Sequence, residues 1–177
     1  MNLSNDSFES DRLIFEARRE AHAKEVYDLF CDKELYLYTM RDIPPSVEWL
    51  ADGFRKAETK QSPDGKEIWL GWFGRDKISM KIIGLFETTI IGEDAYVAYT
   101  VFRPYQNNGY AIKGTSSMIN YVSNNYLVKK FIIEMDTRNR VSFKVAEKLG
   151  FEFLQVKNNV TFIKGFVSHE FQFQKLV

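Results

Sequence analysis

"AYVAYTVFRPYQNNGYAIKGT" (Ala95–Thr115) carries two periodicities end to end. Its first eight residues are β-branched, aromatic and small, the composition of a strand. Further on, Ala111, Thr115, Met118 and Val122 recur at i, i+4, i+7 and i+11, one apolar stripe of a helix reaching about Asn125. Asn107, Asn108 and Gly109 lie at the junction. A helix start leaves its first N–H groups without internal partners and carries a partial positive charge, so a tight turn there can hold an anion through backbone atoms. Gly109 permits close approach, and asparagines tolerate left-handed backbone angles. The same residues suit a plain helix start, with Asn107 or Asn108 as the cap and Gly109 easing the turn.

Upstream, "DRLIFEA" alternates like a short strand, and "REAHAKEVYDLFCD" sets Ala23, Val26, Tyr27 and Phe30 on one helical face. After Pro44-Pro45, Val47, Leu50 and Phe54 fall at helical intervals with Ser46 available as cap. "IWLGWFGR" and "KISMKIIGLFETTII" read as strands, with turns at "SPDGKE" and "GEDA". Downstream, "KKFIIEMDT" reads as a buried strand. "NRVSFKVAEKLGF" reads as a short helix with Val141, Val145 and Leu149 on one face, Asn139 before its first turn and Gly150 in a left-handed C-terminal cap. The last segment predicts two strands around a polar "KNN" turn. The order is β-α-α-β-β-β-α-β-α-β-β, an α/β (α+β) fold with a mixed, mostly antiparallel sheet of about seven strands flanked by helices.

With 177 residues, the chain predicts one domain, 1–177. Zero net charge from 24 basic and 24 acidic residues argues against broad nucleic-acid binding, which needs surplus cations, and no stretch approaches the ~20 apolar residues of a membrane helix. The polar start "MNLSNDSFESDR" and the lone Cys31 lead to the expectation of a reducing cytoplasm. Residues 1–100 hold 13 basic against 19 acidic side chains, a net of −6, and residues 101–177 hold 11 against 5, a net of +6. That asymmetry suits either pairing across the fold or an anionic ligand on the second half and a cationic one on the first. No spacing points to a metal, and Cys31 has no histidine placed beside it in sequence.

The junction matches neither G-x-G-x-x-G nor G-x-x-x-x-G-K-[ST], since no lysine follows Gly114. Instead "QNNGYA" resembles the Q/R-x-x-G-x-G/A signature of the GCN5-related N-acetyltransferases, the GNAT family. "NRVSFKVAEKLGF" resembles the N-x-x-S…K-x-G-F segment of the branch that acetylates ribosomal-protein N-termini, and "ESDRLIFEA" resembles that branch's first strand. The likeness runs over nearly the whole chain.

This resemblance implies a sheet split by a V-shaped cleft for acetyl-CoA. Tyr99, Thr100 and Val101 would offer backbone groups to the pantetheine arm. Gln106, Asn107, Asn108, Gly109, Tyr110, Ala111 and Ile112 would cradle the pyrophosphate, and Asn139 would contact the cofactor. It also implies direct attack of a primary amine, a protein N-terminus or a small molecule, through a tetrahedral intermediate. Ser142 would protonate the departing thiolate; the tyrosine that many relatives use four positions later is Ala146 here. Glu87, near the middle of a central strand, is the expected base, and His169 the other titratable candidate near neutral pH. The early helices and the loop between them, about Glu34–Trp49 and rich in tyrosine, would grip the acceptor together with the last hairpin, although Tyr36 and Tyr38 suit helix packing as well. A non-catalytic acyl-CoA-binding or sensory protein on the same fold is the alternative. Exposed strand edges are compatible with a homodimer.

Overall fold

A computed structural model describes residues 7–177; the leading "MNLSND" of the polar start lies outside them. Eight strands form one sheet: β1 (Phe8–Glu9), β2 (Leu13–Ala17), β3 (Glu67–Asp76), β4 (Ile82–Ile91), β5 (Asp94–Val101), β6 (Lys130–Asp136), β7 (Glu152–Ile163) and β8 (Phe166–Leu176). The helices are α1 (Ala23–Phe30), α2 (Val47–Ala57), α3 (Tyr110–Asn125) and α4 (Arg140–Lys148). Spatial order is β1-β2-β3-β4-β5-β6-β8-β7. Every neighbouring pair is antiparallel except β5 and β6. The strand beyond the expected seven is the two-residue β1.

Two cores sandwich the sheet. On one face Phe86, Val97, Phe131 and Ile133 pack with Met118, Ile119 and Val122 of α3 and Val145 and Ala146 of α4. On the other, Leu85, Phe73 and Ile82 pack with Ala23 and Val26 of α1 and Leu50 and Phe54 of α2. Because strand side chains alternate, Glu87 shares the α1/α2 face with Leu85, and Tyr99 shares the α3/α4 face with Val97. Ser46 caps α2 by accepting from Trp49 N at 3.2 Å. Gly150, at φ +75°, follows α4 in the left-handed conformation read from the sequence.

Three local expectations are corrected. The "KNN" segment is no turn: β7 runs through it as an irregularity in the register between Lys157 and Thr161, with Asn159 at φ 54°, and the chain reverses at Lys164-Gly165. On α4, Val141 is 75 % exposed rather than sharing the buried face of Val145; fully buried Ala146 takes that place. Neither Asn107 nor Asn108 caps α3, whose N-cap is Gly109 with no side-chain bond.

Candidate active site

β5 and β6 run parallel for only three pairs, Asp94↔Lys130, Ala95↔Phe131 and Tyr96↔Ile132, and then diverge. Phe102 N donates to Ile83 O on the β4 side at 3.0 Å. Val101 O faces the other way and accepts from Gln106 Nε2 at 3.0 Å. Strand backbone groups alternate in direction, so the amide and carbonyl of Tyr99 also face the opening, while Thr100 pairs with Leu85 of β4. A cavity of about 960 Å³ occupies this opening and extends under α2.

At one end of the divergence is the turn into α3. Asn107 at φ 62° and Gly109 at φ 77° both hold left-handed conformations, which turns the chain sharply. Asn108 Nδ2 closes the turn on itself, donating to Gln106 O at 2.9 Å and Tyr105 O at 3.3 Å. Arg12 Nη1 holds Asn108 O at 3.3 Å. Tyr110 is an anchor: it is buried, donates to Asp76 Oδ2 at 2.9 Å, and carries the Arg12 guanidinium 4.4 Å from its ring centroid. Ala111 and Ile112 are half-buried in the first turn, and Lys113 is exposed. A Cβ built on Gly109 would meet nothing within 4 Å, so the space before the uncapped helix start is open. Backbone donors, positive dipole and room together fit a phosphate group.

Ser142 stands at the other end. Asp136 closes β6 with its carboxylate on Arg138 Nε at 2.8 Å, Arg138 Nη2 at 2.8 Å and Ser168 Oγ at 2.7 Å, and these bonds push it down to about 2. Asn139 N then donates to Asp136 O at 2.9 Å, and Asn139 Oδ1 accepts from Ser142 N at 3.1 Å. That cap starts α4 and sets Ser142 on the cleft wall, where Tyr99 Oη donates to its Oγ at 3.3 Å.

Glu87 lines the cleft on the α1/α2 face. Its carboxylate is ion-paired to Arg18, which follows β2 and reaches Glu87 across Gly71 of β3. A Cβ on Gly71 would sit 3.2 Å from Arg18 Cζ, so a side chain there would crowd this crossing. Arg41 Nη1 is 3.9 Å from the second Glu87 oxygen. Tyr36 packs, donating to Phe30 O at 2.7 Å, and burial pushes its phenol up to about 12; both it and Tyr38 line the cleft. The loop from Tyr38 to Pro45 roofs the α1/α2 side and is held to the β7–β8 hairpin, where Lys164 Nζ donates to Arg41 O at 2.9 Å and pairs with Asp42. Sequence reading set this loop and the last hairpin together but missed the Lys164 bonds between them, which nothing in the Lys164 neighbourhood signals. His169 lies elsewhere, its Nδ1 beside Asn158 Oδ1 at 3.1 Å on the irregular part of β7, and His22 contacts Glu16 at 3.2 Å.

Residues 12–152 match the family model described as an acetyltransferase (GNAT) domain. The chain belongs to the GNAT acetyltransferase family. No curated protein sequence matches it. This GNAT chain is similar in fold to the microcin C7 self-immunity acetyltransferase MccE, solved with acetyl-CoA and AMP: 19 % identity, 95 % of this chain and 94 % of that one covered, TM-score 0.81. It is similar to a Salmonella typhimurium acetyltransferase that modifies the N-terminal serine of a 50S ribosomal subunit protein, at 14 % identity, 95 % and 96 % coverage and TM-score 0.83. It is similar also to the Vibrio cholerae spermidine N-acetyltransferase, solved with CoA and spermine, at 17 % identity, 94 % and 96 % coverage and TM-score 0.80. The cavity is lined by Tyr99, Thr100, Asn139 and Ser142 but by none of residues 101–112, so the turn before α3 stands outside its lining. No helix among the described residues is long and apolar enough to cross a membrane.

Proposed function

We propose that the protein transfers an acetyl group from acetyl-CoA to a primary amine, in the manner of the branch that acetylates ribosomal-protein N-termini. One observation carries the reading: the divergence of β5 from β6 joins an uncapped, left-handed helix start at one end to the Ser142 hydroxyl at the other. Bound acetyl-CoA supplies an acetyl thioester, which an amine converts to an amide with release of a thiol. The chain's residues supply the rest. Asn107–Ile112 hold the pyrophosphate through backbone N–H groups, and the Tyr99 backbone, facing the opening, holds the amide arm. Thr100 and Val101 support this strand, although Val101 O is already engaged by Gln106. Asn139 orients the α4 start, and Ser142 gives its proton to the departing sulfur.

The acceptor lies on the α1/α2 face under the 38–45 roof, where Glu87 takes the proton the nitrogen sheds. A peptide N-terminus and a small amine both fit a cavity of about 960 Å³. Its one free thiol fits a reducing cytoplasm. A second reading, a sensor that binds acyl-CoA without turnover, is favoured by the ion pair that engages Glu87 and by Ala146.

The test mixes the protein with acetyl-CoA and a panel of serine- and alanine-terminated peptides, spermidine and aminoglycosides, following thiol release. Release that depends on one of these amines supports the enzyme. Tight acetyl-CoA binding by calorimetry, with no release on any amine, supports the sensor and sinks the transferase.

A further inference from the structure

Tyr99 brings a phenol to the cleft from a strand whose expected contribution was backbone alone. Its hydroxyl donates to Ser142 Oγ at 3.3 Å, from β5 to the first turn of α4. Both residues line the cleft, and the Asn139 bond to Ser142 N fixes the serine's backbone. With Oγ accepting from the phenol, the serine's own hydrogen is free to point at a group bound in the opening.

A serine alone is a poor proton source. Giving up its hydrogen leaves an alkoxide, a far stronger base than the phenolate of tyrosine, whose ordinary pKa is about 10. A phenol behind the serine removes that difficulty, and α4 itself offers none, because the position one turn on is buried Ala146. The geometry points to Tyr99 as the residue that positions the Ser142 hydroxyl and resupplies its proton during transfer. This rests on the proposed role of Ser142 as proton donor.

When the acceptor nitrogen bonds to the acetyl carbon and the carbon–sulfur bond breaks, sulfur keeps the bonding pair. Ser142 Oγ–H passes its proton to sulfur, and Tyr99 Oη–H passes its proton to Oγ. The proton that the nitrogen sheds to Glu87 passes on through water in the cleft and restores the phenol. Amine and thioester become amide and thiol, with nothing oxidised or reduced. Burial pushes the Tyr99 phenol up and so weakens it as an acid, while its bond to Ser142 acts in the opposite direction.

Tyr99→Phe removes one oxygen and keeps the ring. Wild type, Tyr99→Phe, Ser142→Ala and the double variant are compared with acetyl-CoA and the amine that the panel identifies. Tyr99→Phe is expected to lower kcat about 10- to 100-fold. KM for acetyl-CoA and the calorimetric Kd for CoA stay unchanged. The double variant is no slower than Ser142→Ala, because the two groups act as a unit. The dependence of kcat on deuterium content is curved for wild type, where two protons move together, and linear for Tyr99→Phe. Wild-type kcat in Tyr99→Phe beside a slow Ser142→Ala overturns the tyrosine's role and leaves the serine's. Unchanged kcat in both overturns the serine assignment too. Additive losses, or weakened CoA binding in Tyr99→Phe, make the tyrosine an independent or binding residue and also overturn the inference. No CoA release with any amine removes both the relay and the transferase.

Discussion

Arg18 and Glu87 form an ion pair across the width of β3, with only 13 % and 18 % of their side chains exposed. The pair fixes the carboxylate on the α1/α2 side of the cleft and fills a place where either charge alone would be stranded. Glu87→Gln keeps the shape but leaves Arg18 uncompensated. Denaturant unfolding should show a loss of about 1–3 kcal/mol, and kcat should fall at least tenfold. Replacing both partners, Arg18→Met with Glu87→Leu, should recover stability and leave turnover low. Full activity in Glu87→Gln would remove it as the base.

Gly109→Glu places a carboxylate in the open space before α3. The cost to folding is the left-handed backbone at φ 77°, about 1–2 kcal/mol, since a Cβ there meets no neighbour within 4 Å. Charge repulsion of a phosphate should lower acetyl-CoA affinity about a hundredfold or more. Isothermal calorimetry on a variant that still melts cooperatively checks this, and near-normal affinity would sink the turn as the phosphate site.

Acid should destabilise the protein through specific carboxylates. Asp136 is pushed down to about 2, chiefly by Arg138, and Glu16 and Glu25 are both lowered by Arg75. Depressed carboxylates contribute fully above their unfolded pKa values and lose that contribution as pH falls through the folded ones. The Asp136 share, on the order of 2 kcal/mol, is therefore present above about pH 5 and disappears toward pH 2. Melting followed from pH 6 to 3 should show a shallower decline for Asp136→Asn than for wild type. Equal slopes would contradict the assignment.

Lys164→Ala removes the ion pair and the backbone bond between the roof loop and the β7–β8 hairpin, leaving Thr161 Oγ1 on Met40 Sδ at 3.3 Å. Asp42 is 85 % exposed, so stability should change by less than about 1 kcal/mol. KM for the acceptor should rise severalfold while the Kd for acetyl-CoA stays put, because the loop covers only the α1/α2 side of the cleft. A change confined to acetyl-CoA binding would place the loop's role elsewhere.

Local chemistry was readable ahead of the fold. Ser46, Asn139 and Gly150 announce helix ends because caps are settled by a few neighbouring residues, and the Gln106–Ala111 motif announces its turn. Pairing over distance was not. Tyr99 and Ser142 are 43 residues apart, and Arg18 and Glu87 are 69, so their contacts exist only once the sheet has set its register. The "KNN" segment misled because β7 is an outer strand, exposed along most of its length, and so lacks the alternation that marks a strand. Exposed Val141 misled because three apolar residues spaced four apart do not fix which face of a short helix is covered.

Past Tyr96, β5 has strand geometry on an edge that β6 has left. An extended ligand that bonds to this edge lengthens the ladder, so ligand occupancy and folding free energy become linked quantities. At a concentration a hundred times its Kd, such a ligand adds about 2.7 kcal/mol to stability. Protection of the Val97 and Tyr99 amides against hydrogen exchange would then rise with acyl-donor supply. The protein would last longest in a cell when it has something to transfer.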